Sequence, residues 1–174
     1  MKAVGVWLVV AGVLTAVRAA LEFGEPAYFD PVTFLDYSAA LLSSVAWAAT
    51  AVAFFLWWRR SPLRRGSLLI LLAAVGIAVS SVGNALEDVV GAEFGEVLFT
   101  LGGMTGAVAT LAAAVVIITA GQTLRWTGVF LLLFIAGSVF PDDGGQWLSG
   151  LSLVALGWWI LRLRSVRATS IGIQ

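Results

Sequence analysis

The chain has 174 residues, of which 60% are hydrophobic and 11% are charged, and its formal net charge is zero. About a quarter of the residues of an ordinary soluble domain are charged, so this composition excludes a fold with a water-exposed surface on all sides. Cys and His are both absent, which excludes disulfides, Cys or His zinc sites, haem ligation by His, thiol nucleophiles and a Ser-His-Asp triad. We therefore expect no cofactor and no metal site.

The apolar residues fall in long runs, and the mean hydropathy is +1.00. Only helices and closed barrels satisfy their backbone in lipid, and the alternation of a barrel strand is missing. The runs predict an all-α membrane protein, a bundle of six transmembrane helices in three consecutive hairpins, forming one polytopic domain over residues 1–174. The helices are predicted at about 3–23, 34–58, 67–88, 96–120, 126–140 and 146–163. The fifth is short for a crossing.

Charge predicts the orientation of these helices. Nine of the ten basic residues fall at alternate ends of successive helices, which makes that side cytoplasmic by the positive-inside rule. All ten acidic residues fall at the opposite side. We therefore expect both termini in the cytoplasm and the chain in the cell (plasma or inner) membrane.

Two alternatives stay open: cleavage of the first helix as a signal peptide, and an internal repeat among the hairpins. The first helix has the basic start and apolar core of a cleaved signal peptide, but Arg18 close to the cut is unusual, so we favour a retained helix. Ala20-Leu21-Glu22 recurs as Ala85-Leu86-Glu87, which leaves an internal repeat open.

Arg18 is the one basic residue out of place, roughly 7–8 Å below the outer end of helix one at 1.5 Å per residue. Three interpretations stay open. The side chain snorkels to the outer interface, or it forms an ion pair with Glu22, Glu87 or Asp88, or it contributes to a ligand site. We favour the first.

A polar stripe runs along helix three. Ser80, Asn84 and Glu87 lie on one helical face, with Asp88 beside them. Hydroxyl residues at similar depth in the other helices are Thr15, Ser43, Ser44, Thr100, Thr105, Ser138, Ser149 and Ser152. The stripe predicts either interhelical hydrogen bonds, which we favour, or an outward-facing vestibule of Arg18, Glu22, Ser80, Asn84, Glu87 and Asp88 that is lined by these hydroxyls.

Helix four contains Gly102, Gly103 and Gly106, a G-x-x-x-G motif. Small residues let two helix backbones approach closely. We expect helix four to be the most buried helix of the bundle, or else a dimer face.

The loop after helix two carries Arg59, Arg60, Arg64 and Arg65. Each basic residue near an anionic leaflet contributes about 1 kcal/mol. We expect contacts with anionic lipid headgroups here and no nucleic-acid binding, because the loop is too short. The remaining partners that the sequence suggests are the bilayer, other membrane-protein subunits or a second copy of the chain.

No motif identifies a reaction. The clustered acids, Glu87 with Asp88 and Asp142 with Asp143, are adjacent in sequence and point about 100° apart on a helix, which disfavours an enzyme. The favoured hypothesis is a non-enzymatic accessory or scaffold subunit that binds partner membrane proteins or lipid. The alternative is a small transporter or channel with a vestibule around Arg18, Asn84 and Glu87.

The turn from Asn84 to Asp88 has an Asn-x-x-Glu-Asp pattern. It resembles the acidic turn that ends a helix in multi-span membrane proteins of high-GC bacteria and haloarchaea. The resemblance covers this turn and the general plan, and it implies a prokaryotic source and no activity.

Overall fold

The computed structural model describes residues 1–21, 33–60, 64–120 and 125–171, with the side chains of 64–65, 142–143 and 164–171 outside the description. Within these ranges the regular structure is helical. The elements are α1 (Lys2–Leu21), α2 (Phe34–Arg60), α3 (Arg64–Asn84), a π-helical turn (Ala85–Val89), α4 (Phe94–Thr119), α5 (Arg125–Val139), a second π-helical turn (Pro141–Gly145) and α6 (Gln146–Ile171). The prediction of an all-helical chain with six helices is confirmed.

Two helix ends differ from the sequence prediction. α3 was expected to run to Asp88, but it widens into the π-helical turn after Asn84, and Gly91, with a φ of 75°, follows that turn. α6 was expected to end near Leu163, but it continues to Ile171. The segment after Leu163 contains no helix-breaking Pro or Gly before Gly172. The apolar run predicted only the membrane-crossing part of α6, whereas the helix itself continues beyond that run.

Four helical segments are long and apolar enough to cross a membrane: Lys2–Leu21, Phe34–Arg60, Gly66–Val89 and Phe94–Thr119. α5 is a shorter apolar helix of 15 residues, about 22 Å long at 1.5 Å per residue. Pro141, two residues after the last residue of α5, begins the second π-helical turn and prevents α5 from continuing. Several apolar helices therefore fit a membrane-embedded protein.

The six helices form a ring. Each helix contacts its neighbours in the chain, and α6 closes the ring on α1. The end where α1, α3 and α5 finish carries Asp36, Glu87, Asp88, Glu93 and Glu96, and we call it the acidic end. The opposite end, called the basic end, carries Lys2, Arg59, Arg60, Arg125 and Arg162.

The two most extensive helix contacts, α3 with α4 and α1 with α6, are both built on glycine. A Cβ added at Gly102 would lie 2.7 Å from the carbonyl oxygen of Gly76, and one at Gly95 would lie 2.7 Å from that of Gly83. Such distances leave no room for a side chain, so backbone lies on backbone. We call this contact the α3/α4 seam.

The α1/α6 seam has the same construction. A Cβ at Gly157 would lie 2.6 Å from the carbonyl oxygen of Gly5, and one at Gly12 would lie 2.5 Å from that of Gly150. In α1, α3, α4 and α6 the paired glycines are seven residues apart, about two helical turns, and so lie on one face. This spacing is visible in the sequence, and the sequence prediction did not use it.

The ranking of helix four as the most buried helix was wrong. Across an 18-residue window α2 is 56% buried and α4 is 39% buried. α2 packs between α1 and α3, and its aromatic side chains also reach two further helices. Trp47 contacts Phe99 of α4 and Phe54 contacts Phe134 of α5, with ring centroids 6.3 and 6.5 Å apart. α4 packs closely on α3 but leaves an apolar ridge exposed on its other side.

Candidate functional site

Asn84 ties α3 to α2. Its side chain is 7% exposed, and its amide nitrogen donates to the carbonyl oxygen of Ala40 at 3.3 Å and to the hydroxyl of Ser44 at 3.0 Å. Ser81, one turn earlier, donates to the carbonyl oxygen of Ser44 at 2.8 Å. The Asn84 amide therefore lies in a dry contact between two helices, as expected for polar side chains that join membrane helices.

The rest of the helix-three stripe points elsewhere. Ser80 is fully buried against α4, where its hydroxyl donates to the carbonyl oxygen of Phe99 at 3.1 Å. Glu87 and Asp88 are half-buried on the π-helical turn. Residues that share one face of an ideal helix are thus divided between the α2 contact, the α4 contact and the turn.

Arg18 lies at the contact of α1 with α2. Its guanidinium donates from Nη1 to the hydroxyl of Ser43 at 2.7 Å, and Ser43 is 2% exposed. The side chain is half-buried and this hydrogen bond turns it toward the bundle interior. Glu22, one of its predicted partners, lies outside the described residues.

Arg18 lines a cleft of about 60 Å³ on the acidic-end half of the bundle. That volume holds a few water-sized atoms. The walls come from α1, α2, α5, the second π-helical turn and α6. The described lining residues are Thr15, Arg18, Ala46, Trp47, Thr50, Phe134, Gly137, Ser138, Pro141, Gln146 and Ser149. The cleft thus unites Arg18 with hydroxyls of other helices and not with the Asn84 stripe.

The hydroxyl groups in the cleft wall already use their protons on backbone carbonyls. Thr15 donates to Ala11 and Thr50 donates to Ala46, each at 2.9 Å. Ser138 and Ser149 both bond the carbonyl oxygen of Phe134, at 2.8 and 3.0 Å, and lie 3.1 Å from each other. Each hydroxyl has one proton and two lone pairs, so these groups present acceptor oxygens to the cleft.

Apolar side chains close the cleft toward the basic end. Phe134 lines the cleft and contacts Phe54, which is 1% exposed and lies one turn beyond Thr50 on α2. Leu8, Leu131 and Leu156 continue this apolar layer and are fully buried. The described polar lining thus lies in the acidic-end half of the bundle, with apolar side chains beyond it.

Gly102 and Gly106 face α3. Gly103 is turned away, since a Cβ there would have an ordinary contact of 3.5 Å with the Ser80 hydroxyl.

Arg59 and Arg60 are exposed at the end of α2, whereas residues 61–63 and the side chains of Arg64 and Arg65 lie outside the described residues. Nearby at the basic end, the Arg162 guanidinium stacks over the Trp158 ring, 5.1 Å from its centroid. Among the described residues no group of three Asp or Glu side chains is placed to hold a metal ion.

The sequence prediction had named Thr15, Ser138 and Ser149 as hydroxyls of the outer half, and its vestibule hypothesis placed such hydroxyls around Arg18 together with Asn84 and Glu87, which are not among the described lining residues of the cleft. It missed Trp47 and Gln146 altogether. No local pattern marks these two residues, because they line the cleft only after α6 has closed the ring on α1.

No protein-family model matches the chain, and neither the curated proteins nor the solved structures contain a match to it. The function is therefore inferred from the geometry of the cleft.

Proposed function

We propose that this chain is a non-enzymatic membrane protein of the cell membrane, with six crossings and cytoplasmic termini, that admits a small polar solute into the cleft from the outer side. Its class is that of a small transporter or channel. The observation that carries the proposal is the cleft itself, where Arg18 meets hydroxyl groups from α1, α2, α5 and α6.

The energetics of membrane burial support this proposal. A charged side chain within a membrane helix costs roughly 2.5–3.5 kcal/mol or more at the bilayer centre, and such residues usually face the bundle interior and mark a solute or ion pathway. Arg18 turns inward to Ser43 and borders a cavity large enough for water. The Phe54–Phe134 contact lies on the basic-end side of the cleft, which supports entry of a solute from the acidic end.

The arrangement of the helices in a ring supports the proposal of six membrane crossings. α5 packs between α4 and α6, and α6 packs along α1. Since α1 and α4 are long and apolar enough to span, the two helices between them share the same layer. The bilayer can adapt to the short α5 by local thinning. The segregation of acidic and basic ends supports a cytoplasmic basic end.

Cysteine labelling tests both the cleft and the orientation, because the natural chain has no cysteine. Single variants are treated with a membrane-impermeant methanethiosulfonate in intact cells and in inside-out vesicles. We expect Thr33→Cys, exposed at the acidic end, and Ser138→Cys, in the cleft, to react in intact cells. We expect Thr119→Cys, exposed at the basic end, to react only in inverted vesicles. Fully buried Thr110→Cys is the unreactive control.

The two parts of the proposal fail separately in this experiment. If Ser138→Cys stays unreactive while Thr33→Cys reacts, solvent does not enter the cleft and the solute-binding function is wrong. If Thr119→Cys reacts in intact cells, the orientation is wrong.

The accessory-subunit hypothesis predicts a different observation. Its support is the apolar outer surface, for example Leu101, Met104 and Val108 of α4, each more than half exposed. Lipid tails cover such a surface equally well. A pull-down from gently solubilised membranes decides between them, since a constant stoichiometric partner would favour a subunit and a lone chain or homodimer would favour the solute-binding function.

Lipid contact at the basic end is a further part of the proposal. Arg59 and Arg60 are exposed beside Trp57 and Trp58, and Trp126 is exposed at the start of α5. Basic and aromatic side chains together are typical of a membrane interface with anionic headgroups.

A further inference from the structure

α4 presents a continuous apolar ridge on the side that faces away from α3, and we call it the α4 ridge. Its residues follow one another at alternating intervals of three and four, a heptad pattern with a mean period of 3.5 residues. The α4 ridge extends about 32 Å at 1.5 Å per residue, close to the roughly 30 Å of bilayer hydrocarbon. Its members are between 46% and 67% exposed: Phe94, Val97, Leu101, Met104, Val108, Leu111 and Val115.

Two threonines flank the α4 ridge, and neither has a hydrogen-bond partner among the described residues. Thr100 and Thr105 are both exposed, and Thr105 lies near the middle of α4. Other helical threonines, such as Thr50, Thr110 and Thr119, donate to the carbonyl oxygen four residues earlier. Hydrocarbon offers no acceptor, so a hydroxyl that faces lipid tails in this way lacks a hydrogen bond.

The outer surfaces of the other helices differ from that of α4. Away from the helix ends, the exposed described residues of α1, α2, α3, α5 and α6 are aliphatic or aromatic, for example Val13, Val52, Val75 and Leu133. Lipid tails cover such residues as well as a protein would. The apolar part of the α4 ridge therefore requires no partner, whereas its two hydroxyls would gain an acceptor from a second chain.

The positions of the two threonines fit pairing with a second copy. When Leu101 and Met104 occupy the a and d positions of the heptad, Thr100 is a g position and Thr105 is an e position. In a parallel pair, a g residue of one helix lies beside the e residue five positions later in the other helix, and these two threonines are five positions apart. Copies inserted in the same orientation have parallel α4 helices, so a two-fold axis creates this contact twice.

We propose that the chain forms a parallel homodimer through the α4 ridge, in which Thr100 of each copy shares a hydrogen bond with Thr105 of the partner subunit. The interface lies opposite the G-x-x-x-G face, because Gly102 and Gly106 already lie against the backbone of α3. The described lining of the cleft contains no residue of α4. The dimer therefore leaves the cleft uncovered and does not depend on the proposed function.

Disulfide cross-linking in native membranes tests the interface, because the natural chain has no cysteine. Met104→Cys places a thiol at the centre of the α4 ridge. Val75→Cys is the matched control, since Val75 is 51% exposed and the adjacent Gly76 lies level with Gly102 and Gly106. With copper phenanthroline as the oxidant, we expect a cross-linked dimer for Met104→Cys and little for Val75→Cys. Equal cross-linking of the two, or none for Met104→Cys, would overturn the α4 interface.

Energy transfer between donor- and acceptor-labelled chains measures the dimer affinity in liposomes of increasing lipid-to-protein ratio. We expect the double variant Thr100→Val/Thr105→Val to raise the dissociation constant about tenfold, since the two-fold axis repeats the lost contact. Thr119→Val is the matched control. Thr119 is exposed on the same helix, but its hydroxyl already donates to the carbonyl oxygen of Val115 at 3.0 Å, so we expect no change.

The two parts of this inference fail separately. A natural chain that stays monomeric at every lipid-to-protein ratio overturns the dimer. A dimer whose dissociation constant is the same in the double variant and in Thr119→Val overturns the threonine contact and with it the parallel register. Neither result affects the labelling of Ser138→Cys, which tests the proposed function.

Discussion

The α3/α4 seam and the cleft are packed in opposite ways within one ring of helices. At the seam, glycine leaves no side chain between two backbones, so that the carbonyl oxygen of Gly76 lies only 2.7 Å from where a Cβ of Gly102 would be. At the cleft, Arg18, Thr50 and Ser138 line an open space between helices. In a membrane no hydrophobic driving force brings helices together, so the close approach at the seam comes from small residues, and polar side chains add hydrogen bonds between helices.

Hydroxyl groups are tolerated in the cleft wall because their protons are already bonded. Thr15 and Thr50 each donate to the carbonyl oxygen four residues earlier, which leaves no hydroxyl proton unsatisfied in an apolar environment. The same residues keep acceptor oxygens for water or a ligand. A wall of this kind is polar toward the cleft and needs no partner on a neighbouring helix.

The largest effect is expected at the α3/α4 seam. In Gly102→Ala the new Cβ would press on the backbone of Gly76 and of Ser80, and we expect the free energy of unfolding to fall by about 3 kcal/mol. Gly103→Ala is the matched control, because its Cβ meets only the Ser80 hydroxyl at 3.5 Å. There the gain in helix propensity, up to about 1 kcal/mol, should dominate.

Unfolding in mixed micelles with increasing SDS measures both variants. Equal losses for Gly102→Ala and Gly103→Ala would contradict the close approach of α3 and α4, and with it the contrast between seam and cleft.

A smaller effect tests whether the α1/α6 seam closes the ring in the same way. A Cβ at Gly12 would lie 2.5 Å from the carbonyl oxygen of Gly150 and 2.7 Å from the backbone nitrogen of Val154. At Gly150 the nearest atom is 2.9 Å away. We expect Gly12→Ala to lower the free energy of unfolding by about 2 kcal/mol, and Gly150→Ala to lower it less. The reverse order, measured by the same SDS titration, would contradict the register of this seam.

The smallest effect concerns the polar contact between α2 and α3. Asn84→Ala removes the hydrogen bonds to Ala40 and Ser44. Interhelical hydrogen bonds in membranes contribute about 0.6 kcal/mol on average and about 1.7 kcal/mol at most, so we expect a loss of about 1 kcal/mol. A double-mutant cycle with Ser44→Ala should show coupling, because the two side chains share one bond. Strictly additive losses would show that the Asn84–Ser44 bond contributes nothing.

Most of the fold was predictable from the sequence because it follows from local properties. Long apolar runs separated by Pro and Gly predicted six helices, and the charges predicted which ends lie together. The glycine spacing was also available, since Gly5 and Gly12, or Gly150 and Gly157, lie two turns apart. The sequence does not determine which two glycine faces pack together, because any two such faces can approach one another.

The composition of the site depended on tertiary structure. The sequence predicted a polar face on helix three and an inward role for Arg18 among its alternatives, and both are properties of single helices. The tertiary structure decided that Asn84 meets α2, Ser80 meets α4 and Arg18 meets the hydroxyls of α5 and α6 in one cleft. The physical reason is the order of helices around the ring. This order is set by which pairs of helix backbones can pack in contact, and the sequence of a single helix does not determine it.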